Sequence, residues 1–282
     1  MASKRRPWPL SSDPSVYAPR GLDRLATLRR LSRSNLIVLV AAATGLVLLA
    51  YLLIGQPLLL LLATVVAGGV ADGLVRTHPT LRHHTYKDLV LFLLLPILFT
   101  LGAGVFFRYT LSGWLQVPAA GLSAAILGAV LYAEYNSVDT SGDHFVAMRL
   151  ILNLAGYLAA FSLYTALYNQ RLPLPLAALL VGLVSLLIGV EILREVDLKT
   201  EILVIYGAAL GFVMAEARWA LNFVSLGGWL GGVFILIIFY VLTQVLQAHL
   251  LDRLDRRVAL EFSVVGAIGT IFVIAGRVLA HA

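Results

Sequence analysis

Acidic side chains at helical spacing, in a chain where charge is scarce, are the residues here best equipped for chemistry. Glu191 and Glu195 stand four apart, as do Asp139 and Asp143, with Glu134 and Asn136 just ahead of the second pair. Asp139 and Asp143 fall in the loop after the fourth span, while Glu191 and Glu195 share one helical face if the sixth helix continues through them. Two such clusters facing each other could hold Mg²⁺ against a diphosphate, because hard oxygen ligands suit that metal. The competing reading is solvated loop charge and helix capping. A second group is Glu216, Arg218 and Asn222. Arg218 and Asn222 share a helical face. Glu216 is two residues before Arg218, about 200° round the helix, so the two cannot pair within it. Glu216 then needs a cation from another helix, with Arg108 or Arg277 at the right depth, or it is protonated. An outward-facing ion or proton site and an interhelical bond that locks a bundle are the two readings of this group.

No other pattern points to catalysis, and catalytic residues stay unassigned. There is no His-Glu-x-x-His, Gly-x-Ser-x-Gly or Walker loop, and no lysine lies in mid-span. The absence of cysteine excludes disulfides, thiolate metal sites and cysteine nucleophiles. His78, His83 and His84 sit in a basic loop without a carboxylate at ligand spacing, which reads as a patch against lipid headgroups. No metal and no cofactor are expected.

The elements that must position these residues are apolar throughout. The 282 residues are 60% hydrophobic and 13% charged, with mean hydropathy +0.91. A soluble domain carries about 25% charge. Lipid offers no partners to backbone amides, and the apolar runs are continuous and long, which selects spanning helices. The expected fold is an all-α, polytopic transmembrane bundle of about nine spans: 36–55, 58–75, 89–107, 111–133, 148–168, 174–193, 201–224, 229–249 and 259–280. Gln56 and Pro57 break the first long apolar run into a hairpin. Residues 36–282 form one membrane domain, and 1–35 a basic cytoplasmic tail whose segment 21–33 could lie on the membrane surface as an amphipathic helix. The polar start followed by a full-length apolar run reads as a retained first helix, not a cleaved signal.

Charge sets the orientation. With the N-terminus inside and the C-terminus outside, the outer segments hold only Arg108, Arg171, Arg218 and Arg277 of the 21 lysines and arginines. That is the positive-inside pattern. The net charge of +6 is therefore topological. Anionic headgroups at the inner face are the expected partner, with other membrane proteins or a second copy in addition, and nucleic acid is not expected.

Small residues at four-residue spacing, Gly69 with Gly73 and Gly207 with Gly211, predict close helix contacts. Tyr157, Phe161, Tyr164 and Tyr168 stripe the fifth span, and Asn153 could extend that stripe into a polar seam. Two resemblances follow. The helix number and the two acidic clusters resemble membrane prenyltransferases. However, Asn136-Ser-Val-Asp139-Thr-Ser-Gly-Asp143 keeps only the last spacing of their first motif, and follows the fourth helix where theirs follows the second. The chain as a whole resembles an uncharacterised family of bacterial multi-pass membrane proteins, through Glu134-Tyr-Asn-Ser-Val-Asp139, Trp219-Ala-Leu-Asn222 and Leu260-Glu-Phe262. That resemblance implies no known activity and carries no catalytic residues over; the expected place of the chain is the cytoplasmic membrane.

The leading expectation is a non-catalytic accessory or scaffold protein of that membrane. A small-solute or ion transporter using Glu216 and Arg218 is the first alternative. A membrane enzyme acting on a lipid phosphate through the inner acidic residues is the second. An enzyme predicts convergence of Asp139, Asp143, Glu191 and Glu195. A transporter predicts a polar cavity reaching Glu216, and a scaffold predicts a wide apolar flank.

Overall fold

The computed structural model describes residues 21–76, 86–137, 145–170, 172–196, 198–224 and 226–281. These residues form nine long helices and no strand: α1 Gly21–Ile54, α2 Pro57–Arg76, α3 Tyr86–Thr110, α4 Gln116–Asn136, α5 Phe145–Asn169, α6 Leu174–Leu193, α7 Thr200–Ala220, α8 Gly228–Leu250 and α9 Arg256–His281. Each contains a stretch of 18 to 25 residues apolar enough to cross a membrane. The architecture is that of a multi-pass membrane protein, and each helix overlaps the span expected from the sequence. Segment 21–33 is helical and continuous with the first span.

The break between α1 and α2 falls at Gly55 and Gln56. Gly55 takes φ +81°, a left-handed conformation that suits glycine at a helix end. Arg108, from the last turn of α3, reaches over and donates from Nη1 to the Leu52 carbonyl at 2.6 Å. That bond satisfies one of the carbonyls a helix end leaves open. A Cβ on Gly55 would collide with the same guanidinium. Arg108 is thus committed to the α1 terminus.

The helices alternate in direction. The C-terminal ends of α4, α6 and α8 meet the start of α5 through the contacts described below. At the opposite end, the Asn169 side chain at the close of α5 lies against Gly228 at the start of α8. Trp114 and Trp229, just after glycine turns leading into α4 and α8, are both exposed.

The core centres on α5 and α6. Tyr164, Ile188 and Phe239 are fully enclosed, from α5, α6 and α8 respectively. α6 is the most enclosed span, with 61% of it buried; for α9 the figure is 6%. A backbone-to-backbone contact joins α6 and α7. A Cβ on Gly211 would come within 2.6 Å of the Gly182 carbonyl oxygen, and one on Gly182 within 2.8 Å of the Gly211 oxygen. Gly207 lies equally tight against Leu186 and Val190. The expected role of Gly207 and Gly211 is therefore seen. Gly69 and Gly73 differ: a Cβ at either meets nothing within 4 Å, so that stripe contacts no neighbour among the described residues.

Candidate functional site

The polar residues of the bundle gather where α4 ends, α5 begins and α6 ends. α6 closes at Leu193 and tightens into a 3₁₀ turn over Arg194–Val196. This turn sends Arg194 back across the ends of α4 and α5. Its Nη2 lies 2.6 Å from Glu134 Oε2 and 3.0 Å from Glu191 Oε1. Arg149, in the second turn of α5, brings Nη1 to 4.0 Å from the same Glu191 oxygen. The Phe92 ring of α3 backs Arg194 at 4.1 Å from its centroid, and Phe145 flanks Arg149 at 5.7 Å. Glu134, Glu191 and Arg149 are all buried.

Two carboxylates and two guanidiniums make this set neutral. Glu134 is held by an aligned hydrogen bond. Glu191 is held by charge alone, since neither of its oxygens has a hydrogen-bond partner. Burying charges without compensation is prohibitive in lipid, and mutual pairing is the compensation seen here.

A second tier begins one residue beyond Arg194. Glu195 Oε2 accepts from Asn153 Nδ2 and from Gln247 Nε2, each at 3.0 Å, which joins the α6 turn to α5 and α8. One turn further along α5, the Tyr157 hydroxyl lies 3.0 Å from Thr243 Oγ1 and accepts from Gln244 Nε2 at 2.9 Å. Farther still, the Tyr164 hydroxyl pairs with Ser185 Oγ at 2.7 Å. Phe239 lies edge-on to both tyrosines and separates the two pairs. The polar seam expected below the tyrosine stripe is thus present, with each of these hydroxyls bonded to a neighbour.

Of the sequence candidates, Glu134, Glu191 and Glu195 converge. Asn136 does not: its side chain donates back to the Tyr132 carbonyl at 2.7 Å. Asp139 and Asp143 lie outside the described residues, as do His78, His83 and His84. Among the described residues no group of three His, Cys, Asp or Glu is arranged to hold a metal. Arg194 instead bridges Glu134 and Glu191.

The Glu216 group separates. Arg218 is buried, with its guanidinium 4.8 Å from the Tyr168 ring centroid, while Glu216 and Asn222 are exposed. Among the described residues no interhelical cation pairs with Glu216, and the rotation of α7 is the reason. The α7 face carrying Gly207, Gly211, Met214 and Arg218 is the buried one. Glu216 projects from another side, and Arg108 is engaged at Leu52.

Arg149 and Arg194 are the site residues that sequence reasoning missed, because they read as topological loop charge. The available signals were the three-residue spacing of Glu191 and Arg194 and the place of Arg149 inside an apolar run. Gln244 and Gln247 were also missed; their spacing puts them on adjoining positions of α8.

No curated protein and no solved structure matches this chain. The resemblance to an uncharacterised family holds: a family described as "Protein of unknown function (DUF5656)" matches residues 34–276, which includes every residue of the charge set and seam, and the chain belongs to that family.

Proposed function

We propose that this multi-pass protein is a non-catalytic accessory or scaffold protein of a bacterial cytoplasmic membrane, with its N-terminus inside and its C-terminus outside. One observation carries the reading. Glu134 and Glu191 share Arg194 in a neutral, aromatic-backed set that ties three helices together. Carboxylates committed in this way hold helix ends in register and present no open charge to a substrate. The wide apolar flank of α9 supports the same reading. The orientation is supported by the basic residues Arg76, Arg149, Arg194, Lys199, Arg253, Arg256 and Arg257, which belong to the end taken as cytoplasmic. That end would face anionic headgroups.

The test is reconstitution of the purified chain in liposomes of phosphatidylglycerol and phosphatidylethanolamine. The expected result is a Glu191→Gln variant that is less heat-stable, with no change in lipid-phosphate release or in ion flux. Release or flux that disappears in the folded Glu191→Gln variant would overturn the proposal.

A second reading, transport of a small polar solute or ion, rests on the seam between α5 and α8. Tyr157 lies about 18 Å along α5 at 1.5 Å per residue, near mid-span. Solute or ion flux abolished by Glu195→Gln in the same liposomes would favour it.

A further inference from the structure

We propose that Arg218 binds the headgroup phosphate of an anionic phospholipid, whose acyl chain occupies the adjoining apolar cavity. Arg218 is 7% exposed, and its Nε is buried without a hydrogen-bond partner. Among the described residues no carboxylate pairs with it, and Glu216 is exposed on another side of α7. A guanidinium has five donors and no acceptor, so contact with the Tyr168 face leaves its hydrogen-bonding capacity unused. The charge set at the other end shows how this bundle treats buried arginines: Arg149 and Arg194 both have carboxylates. Arg218 has the burial without the anion.

The same Tyr168 ring links Arg218 to the cavity, because its hydroxyl donates to the carbonyl of Val224, one of the lining residues, at 3.4 Å.

The cavity identifies the rest of the ligand. It has a volume of about 740 Å³ and lies between the end of α7, α8 and α9. Leu221, Val224, Phe234, Val273 and Ile274 line it, and Arg277 adds a second cation to its wall. Leu221 follows Arg218 by three residues, on the same face of the chain as it leaves α7. A cavity of roughly 300–1,000 Å³ with mostly apolar walls and few polar groups suits a small amphiphile. Free phosphate satisfies Arg218 but leaves those walls unused. A phospholipid satisfies both.

The experiment is native mass spectrometry of the full chain, released from detergent after incubation with phosphatidylglycerol, phosphatidylcholine or inorganic phosphate. Wild type should retain phosphatidylglycerol at least tenfold more than phosphatidylcholine. Arg218→Gln should lose that preference, and Arg218→Lys should keep part of it. Val273→Trp, which fills the cavity without touching the charge, should lower retention of both lipids, and keeps the proposal testable if Arg218→Gln fails to fold. Equal phosphatidylglycerol retention by wild type and Arg218→Gln would overturn the site. So would full lipid retention by Val273→Trp. Binding of inorganic phosphate alone, or a protein copurifying in place of lipid, would overturn the lipid assignment.

Discussion

Arg194 Nη2 lies 2.6 Å from Glu134 Oε2, across sixty residues of sequence, and fastens the end of α6 to the end of α4. The same nitrogen is 3.0 Å from Glu191. One guanidinium thus compensates two carboxylates, and Arg149 completes the neutrality from α5.

Removing one member should therefore cost more than removing a matched pair. Glu134→Gln leaves a buried excess of positive charge and should lower stability on the order of 3–5 kcal/mol. Glu134→Gln with Arg194→Gln restores neutrality and should recover part of that loss. Heating the detergent-solubilised variants and measuring the fraction that stays monodisperse distinguishes the two outcomes.

The α6–α7 contact should not tolerate bulk. Gly211→Leu drives a side chain into the Gly182 carbonyl and should destabilise by about 1–3 kcal/mol. Gly69→Leu and Gly73→Leu meet open space and should stay within about 0.5 kcal/mol of the wild type. The same heating assay compares the three.

Tyr157→Phe removes the acceptor of Gln244 and the partner of Thr243. Thr243 keeps its bonds to the Phe239 and Tyr240 carbonyls, so the amide of Gln244 is the group left short. The expected loss is about 1–3 kcal/mol. Tyr157→Phe combined with Gln244→Leu should lose less, which a double-mutant cycle measures.

A chain without cysteine allows single-site labelling with no background. Under the proposed orientation, Ser112→Cys should react with a membrane-impermeant maleimide on intact cells. Arg253→Cys should react only after lysis. The reverse pattern would invert the assignment of both ends.

The spans were legible because lipid demands long apolar runs, and the hairpin was legible in Gln56-Pro57. Gly207 and Gly211 announced a close contact, yet Gly69 and Gly73 carry the same spacing and meet nothing. Spacing marks a smooth helix face without saying which neighbour reaches it. The facing of Glu216 was not legible for a related reason: composition gives the depth of a residue, while its direction depends on which face of α7 meets α6. The charge set was half legible. Glu134, Glu191 and Glu195 stood out as expensive carboxylates, but the turn after Leu193 that swings Arg194 beneath them is a local tightening with no sequence mark.

α9 has only 6% of its span enclosed, and α8 is its one substantial neighbour among the described residues. Its anchorage is therefore shared between hydrocarbon and α8, where Gly269 sits against Ile237 and Gly276 against Leu230. The ninth passage is a lodger at the edge of the bundle, leaning on one wall while α5 and α6 hold up the middle.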